Sequence, residues 1–191
     1  MRTSGAATRQ RIVEAAYALF YKNGFAAASV DAVAEAAGIT KRSFYYHFDS
    51  KQQLLGAVFE QQSKLVLAEI ERWAGAKVSE PERIVERIFG EYAKWAKKPG
   101  WRSSGFTRAA MEFAASPGHP VRRAARQHKA LIEEWFTARF AAGGIARAAE
   151  LARQLMLLME GCHSLILISG DASYTGTATN AARALIVAAR H

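Results

Sequence analysis

Apolar residues recur three and four positions apart along most of this chain. Long alternations of polar with β-branched residues do not occur, so the pattern predicts helices throughout. Over residues 7–23, Ile12, Ala15, Ala16, Leu19 and Phe20 share one face, and Gly24 is placed to end the helix. Ser29 suits the N-cap of a short helix, Val30 to Ala37, that Gly38 ends; Thr40 suits the N-cap of another, Lys41 to about His47. Ser50 with Gln53 forms a capping box that opens a long helix to about Trp73. Ser79 with Glu82 forms a second box, with Pro81 in the first turn where its missing N–H is harmless, and that helix runs to Pro99-Gly100. Further helices are expected from about Arg102 to Ala115, Pro120 to Ala141, Ala146 to Ile168 and Gly176 to Arg190. The fold expected is all-α with about nine helices: a three-helix domain over residues 1–50, fused through the fourth helix to a larger helical domain over 51–191.

The most informative segment is Val30 to Phe48, VDAVAEAAGITKRSFYYHF. Two short helices that cross steeply through a tight turn need a small residue at the crossing, a residue tolerant of positive φ in the turn, and apolar side chains in the angle. Ala34 meets the first need, Gly38 the second, and Val33, Ala37, Ile39 and Phe44 the third. The second helix opens on Thr40, Lys41, Arg42 and Ser43, where exposed N–H groups and the positive end of the helix dipole favour phosphate. The pattern is that of a helix-turn-helix; a helical hairpin with no role on DNA would share it.

Taken with its flanks, this segment resembles the tetracycline-repressor-like (TetR) family of regulators. The resemblance rests on TRQRIVEAAYALFYKNGF for helix one, SVDAVAEAAGIT for helix two and the turn, and KRSFYYHFDSKQQL for helix three and the start of helix four. Beyond the first 55 or so residues the chain matches the family only in helix count and order. The resemblance implies a dimeric DNA-binding transcriptional repressor whose C-terminal domain binds a small molecule that releases the DNA. By position it implies DNA contacts from Thr40, Lys41, Ser43 and Tyr45 on the recognition helix, from Lys51 at the start of helix four and from Ser29 at the start of helix two. Arg42 stands where a small residue is more usual and is a candidate for a base or phosphate contact, since Arg reads guanine bidentately. Tyr46 is either a further contact or a half-buried aromatic, and His47 is structural or a phosphate neighbour. Ser29 and Thr40 cap their helices whether or not DNA is present. One seven-residue helix buries too little surface for tight binding. Two copies on a palindromic double-stranded operator are therefore expected, with half-sites one helical turn (~34 Å) or a multiple apart.

Composition narrows the remaining choices. Half of the 191 residues are apolar and 23% are charged, which excludes wholesale disorder. The lone Cys162 makes no intrachain disulfide, which fits a reducing cytoplasm, and the opening MRTSGAATRQRIVEA has no apolar core with a cleavage site. The greasiest stretch, Leu151 to Ser169, carries Arg153, Gln154, Glu160 and His163 and reads as a packed helix with no membrane role. Phosphate-loop, dinucleotide and zinc motifs, CxxC pairs and paired carboxylates on an apolar helix do not occur, so no catalytic residue, cofactor or metal is expected. A helical enzyme, or a bundle binding anionic ligand or lipid, is the rival reading. The net charge is +9, yet residues 1–51 hold only seven Lys or Arg against four acids, and Lys94 to Lys129 holds nine against Glu112. That stretch is a solvated basic face, or else part of it (Arg102, Arg108, Arg122, Arg123) receives an anionic ligand.

In the C-terminal body, Leu151, Leu155, Leu158, Cys162 and Leu165 recur at helical spacing. The opposite face carries Met156, Met159, Ile166 and Leu167, so this helix needs neighbours on two sides. With the final helix, whose Ala178, Ala182, Leu185, Ile186 and Ala189 permit close approach, it is expected to form a four-helix homodimer interface. Trp95, Trp101, Phe106, Phe113, Trp135, Met159 and His163 are candidate walls of a ligand cavity, and each would serve equally as plain core. His163 and Cys162 point about 100° apart on a helix and do not suit a shared metal ion.

Overall fold

The computed structural model describes residues 5–190; residues 1–4 of the opening stretch and His191 lie outside the described residues. Among the described residues every regular element is an α-helix. In order these are α1 Gly5–Asn23, α2 Val30–Ala36, α3 Lys41–His47, α4 Lys51–Ala74, α5 Pro81–Ala96, α6 Gly105–Glu112, α7 Pro120–Ala142, α8 Ala148–Ser169 and α9 Tyr174–Ala189. The helices stop where the chain chemistry requires. Gly24 (φ 99°) ends α1 with its N–H on Phe20 O, and Gly170 (φ 74°) ends α8 with its N–H on Ile166 O.

Several boundaries differ from the expected ones, among them the end of α6, at Glu112 where Ala115 was expected. Pro81 sits at the first position of α5, so the cap falls on Glu80, which makes no side-chain cap bond, and the box expected of Ser79 and Glu82 does not form. The same helix ends at Ala96, because Pro99 disfavours helical geometry at Lys98, and single turns carry the chain from Trp95 to Trp101. Helix α6 starts at Gly105 rather than near Arg102, since Ser103 takes a φ of 66°, the one positive value at a non-glycine among the described residues. At α4 the Ser50 hydroxyl accepts the Gln53 N–H at 3.1 Å as expected, but Gln53 returns its side-chain oxygen to the Asp49 N–H at 2.6 Å.

The chain divides into two units, residues 1–64 with 105–127 and residues 65–104 with 128–191, a grouping that differs from the expected domains of 1–50 and 51–191. In the first unit α1, α2, α3 and the start of α4 close around Ile12, Phe20, Val33, Phe44, Phe48, Leu54 and Val58, all buried. Helix α6 joins this core because Phe106 packs on Phe59 (ring centroids 5.1 Å), which stacks on Phe25 (5.3 Å).

In the second unit α9 packs on α5 and α8 around Ile84, Ile88, Phe89, Phe136, Phe140, Leu151, Leu155 and Ile186. The small residues expected to admit a partner chain, Ala178, Ala182 and Ala189 with Ile186, are buried inside this unit instead. Helical spacing shows that α9 has an apolar face but not which neighbour covers it. Gly143 is held against Pro81: a Cβ there would stand 2.7 Å from Pro81 Cγ and 2.8 Å from the Ser79 carbonyl oxygen. Neither a proline ring nor a backbone oxygen yields easily, so Gly143→Ala is expected to lose about 1–3 kcal/mol, read as a lower thermal midpoint. Gly56→Ala, where a Cβ meets open space within α4, should be neutral or mildly stabilising.

Candidate nucleic-acid interface

The turn between α2 and α3 closes as its residue sizes require. Gly38 takes φ 63° and gives its N–H to Glu35 O, and Ile39 gives its N–H to Ala34 O, both at 3.0 Å. Val33, Ala34 and Phe44 are buried in the angle. Phe44 anchors α3, with Phe48 at 5.8 Å and Tyr45 edge-on at 5.3 Å. Both caps form: Ser29 Oγ accepts the Ala32 N–H, and Thr40 Oγ1 accepts the Ser43 N–H, each at 3.1 Å.

With Phe44 inward, Lys41, Arg42, Tyr45 and Tyr46 are all exposed, and at 100° per residue they occupy one arc of about 140°. Tyr45 is 49% and Tyr46 84% exposed, so Tyr46 is no half-buried core aromatic. Its ring meets His47 edge-on at 5.1 Å. Lys41 is tied to Asp31 of α2 at 3.0 Å, and that hydrogen bond holds its ammonium above the ordinary lysine value. Ser43 is half-buried behind this arc.

Lys51 is placed differently. Its ammonium donates to Ala26 O at 2.5 Å and lies 5.9 Å from the Phe20 ring centroid, and burial lowers its pKa. Across the same loop, the Glu112 carboxylate of α6 accepts the N–H groups of Phe25 (2.7 Å) and Ala26 (3.0 Å). Arg108 donates to Tyr21 O at 3.0 Å and lies over the Tyr21 ring. Glu112 was not among the residues singled out from the sequence, and no local spacing marks a contact made 86 and 87 residues away.

Residues 12–58 match the family model described as bacterial regulatory proteins, tetR family. The Tn10 TetC protein of Escherichia coli is 41% identical over 63 residues, which is 33% of this chain and 32% of that one. The transcriptional regulator UidR of Escherichia coli K12 is 38% identical over 68 residues, 36% of this chain and 35% of its own. These alignments therefore reach about a third of the length of the curated relatives. The solved structure of a TetR transcriptional regulator from Streptomyces avermitilis extends the likeness to the whole chain: 31% identity, a TM-score of 0.83, and coverage of 95% of this chain and 97% of that one. The chain belongs to the tetR family of bacterial regulatory proteins. A second regulator of that family, from Streptomyces coelicolor, shares the fold at a TM-score of 0.84 with 22% identity.

Of the ligand candidates in this tetR-family chain, the second unit gathers three. Trp95 and Trp101 meet edge-on at 5.6 Å, and His163 lies 6.3 Å from Trp95; Tyr92, which was not among the seven, lies 5.4 Å from Trp95, 6.4 Å from Trp101 and 5.0 Å from His163. The Trp101 indole nitrogen is buried with no hydrogen-bond partner. Met159 is buried in the same core, whereas Trp135 stands edge-on to Phe136 and carries the Arg139 guanidinium over its ring.

The other two candidates belong to the first unit: Phe106 fills its core, and Phe113 stacks on His119 at 3.9 Å. A shallow recess of about 270 Å³ in the second unit is lined by Trp73, Arg87, Gly90, Glu91 and Lys94, none of them among the seven. The four arginines considered for an anionic ligand are divided between the two units. Arg102 falls in the second unit and the others in the first, where Arg108 and Arg122 donate to the carbonyls of Tyr21 and Ala114.

A charged group lies beside these rings. Glu160 accepts from Lys129, and His163 Nδ1 stands 3.2 Å from the same carboxylate oxygen. Burial pushes the Glu160 carboxyl up, but His163 and Lys129 together hold it well below the carboxylate range. Burial lowers His163 against the pull of Glu160, and burial with the Lys129 charge lowers His128 to about 4. Cys162 is inert in this setting: burial raises its thiol to about 11, and its sulfur donates to Tyr174 O. Among the described residues no three His, Cys, Asp or Glu side chains gather to hold a metal ion.

Proposed function

We propose that this protein is a sequence-specific transcriptional repressor, cytoplasmic and homodimeric, that leaves a palindromic operator when a small molecule binds its second unit. The observation that carries this reading is the exposed arc of Lys41, Arg42, Tyr45 and Tyr46 on a helix locked against α2 by the Gly38 turn. Those side chains would enter the major groove, with Ser29, Thr40, Ser43 and Lys51 at phosphates.

Support for a dimer comes from α8. Leu157 (71% exposed), Leu165 and Ile168 (81%) fall with Gly161 on one outward stripe, and Val187 of α9 is also exposed. By length and composition α8 would suit a membrane span, but its other face packs on α9. Trp101, with its unpartnered indole N–H among Tyr92, Trp95 and His163, is the best-supported part of a ligand site.

Selection from a randomised duplex pool, followed by gel shift of the selected sequence, tests the reading. A two-fold-symmetric sequence should emerge, and its log affinity should fall against log salt with about −0.9 of slope per phosphate contact. Binding without sequence preference would refute the regulator assignment, and intact mass spectrometry of the native protein would report the dimer and any retained small molecule.

A further inference from the structure

We propose that Glu112 is a positioning residue for DNA binding, whose carboxylate locks the loop that delivers α2 to its place. The proposal rests on the DNA-binding reading above. Gly24, at φ 99°, turns the chain so that the next two backbone N–H groups converge on a single oxygen of Glu112, at 2.7 and 3.0 Å. Converging backbone N–H groups of this kind make an anion-binding nest, and bonds from them to a carboxylate are among the stronger ones a protein forms.

The same loop residue is held from its other side: Ala26 gives its N–H to Glu112 and receives the Lys51 ammonium on its carbonyl. Phe25 is fully buried and stacks on Phe59, which packs on Phe106 of α6. One turn before Glu112 in the same helix, Arg108 holds the Tyr21 carbonyl in the last turn of α1. Helix α6 thus grips the last turn of α1 and the first half of the connection that leads to α2. Three residues after Ala26 stands Ser29, the cap of α2, and α2 packs on α3. A shift of the loop would move both reading helices together.

Charge makes the idea separable from plain electrostatics. Neutralising Glu112 raises the net positive charge by one, which by itself tightens association with DNA. Loss of the lock predicts weaker binding. Glu112 is also exposed, so its removal opens no cavity that would unfold the unit.

The test measures wild type, E112A, E112Q and E112D on the duplex that the wild type selects from a randomised pool, at one salt concentration. Hydrogen exchange at the Phe25 and Ala26 amides is followed in parallel. E112A should bind about tenfold more weakly or worse and lose protection at those two amides, with its thermal midpoint close to that of wild type. E112Q keeps an oxygen able to accept both N–H groups and should stay within about threefold of wild type. E112D keeps the charge but falls one methylene short, and should follow E112A; it carries the test should E112A fold poorly. E112A or E112D binding as tightly as a selective wild type, or with both amides as protected, overturns the proposal alone. A wild type that selects no duplex overturns the DNA-binding reading and this proposal with it.

Discussion

Replacing Tyr45 and Lys51 together by alanine is expected to abolish operator binding while leaving the dimer intact. Tyr45 is half exposed, and its inner contact is one edge of Phe44, which stays fully buried, so its loss leaves the α3 anchor in place. Lys51 loses a candidate phosphate contact and also its hold on Ala26 O. A groove contact and a phosphate contact are each worth about 1–3 kcal/mol, and a dimer loses both twice. The fall should therefore reach about a thousandfold or more, down to the level of binding without sequence preference. Both residues lie in the first unit, far in sequence from the α8 stripe, so sedimentation or gel filtration should return the wild-type assembly. Unchanged gel-shift affinity in the double variant would contradict the placement of the interface on α3 and the start of α4.

Acid should destabilise the second unit well before ordinary carboxylates titrate. His128 is almost wholly buried, and burial with the neighbouring Lys129 lowers it from 6.5 to about 4 in the folded chain. His163 is lowered too, with Glu160 and Lys129 facing it. Between pH 6.5 and 4 the unfolded chain therefore binds protons that the folded chain refuses, and stability falls as the pH is lowered. For His128 alone the loss is about 2 kcal/mol by pH 5 and about 3 kcal/mol by pH 4. Glu160 adds to it below 4.5, because its folded carboxyl resists the proton that the unfolded one accepts. Thermal midpoints at pH 7.5 and pH 5 should differ by several degrees, and H128Q should narrow the gap. A wild-type midpoint that does not move between those two values would show that His128 is not held neutral by its surroundings.

The helix-turn-helix was legible in the chain because the residues that cap it, turn it and set its crossing lie within twenty residues. Ser29 and Thr40 cap at a spacing of three, Gly38 turns the chain, and Ala34 and Phe44 set the crossing. Interactions of that range show as sequence spacing. The cap at α5 was misplaced by one residue because the position of Pro81, not the hydroxyl of Ser79, sets where that helix begins. The candidate ligand residues form aromatic and methionine stripes, and a stripe records burial without recording against what. Hence Phe106 and Phe113 belong to the unit that carries the helix-turn-helix, while Trp95, Trp101 and His163 meet in the other.

Local spacing and side-chain size were enough to specify an all-helical chain and its helix-turn-helix. Tertiary structure alone decided which helices share a unit, because contacts between residues many turns apart leave no period in the sequence. It placed α6 and the start of α7 with the helix-turn-helix, put Glu112 on the α1–α2 loop, and turned the small face of α9 inward. It also redistributed the charge. With Arg108, Arg122, Arg123 and Arg126 included, the described residues of the first unit hold eleven Lys or Arg against six acids, and those of the second fourteen against eleven. The positive excess therefore accompanies the DNA-binding motif after all, through residues that stand apart from it in sequence and join it only when the helices pack.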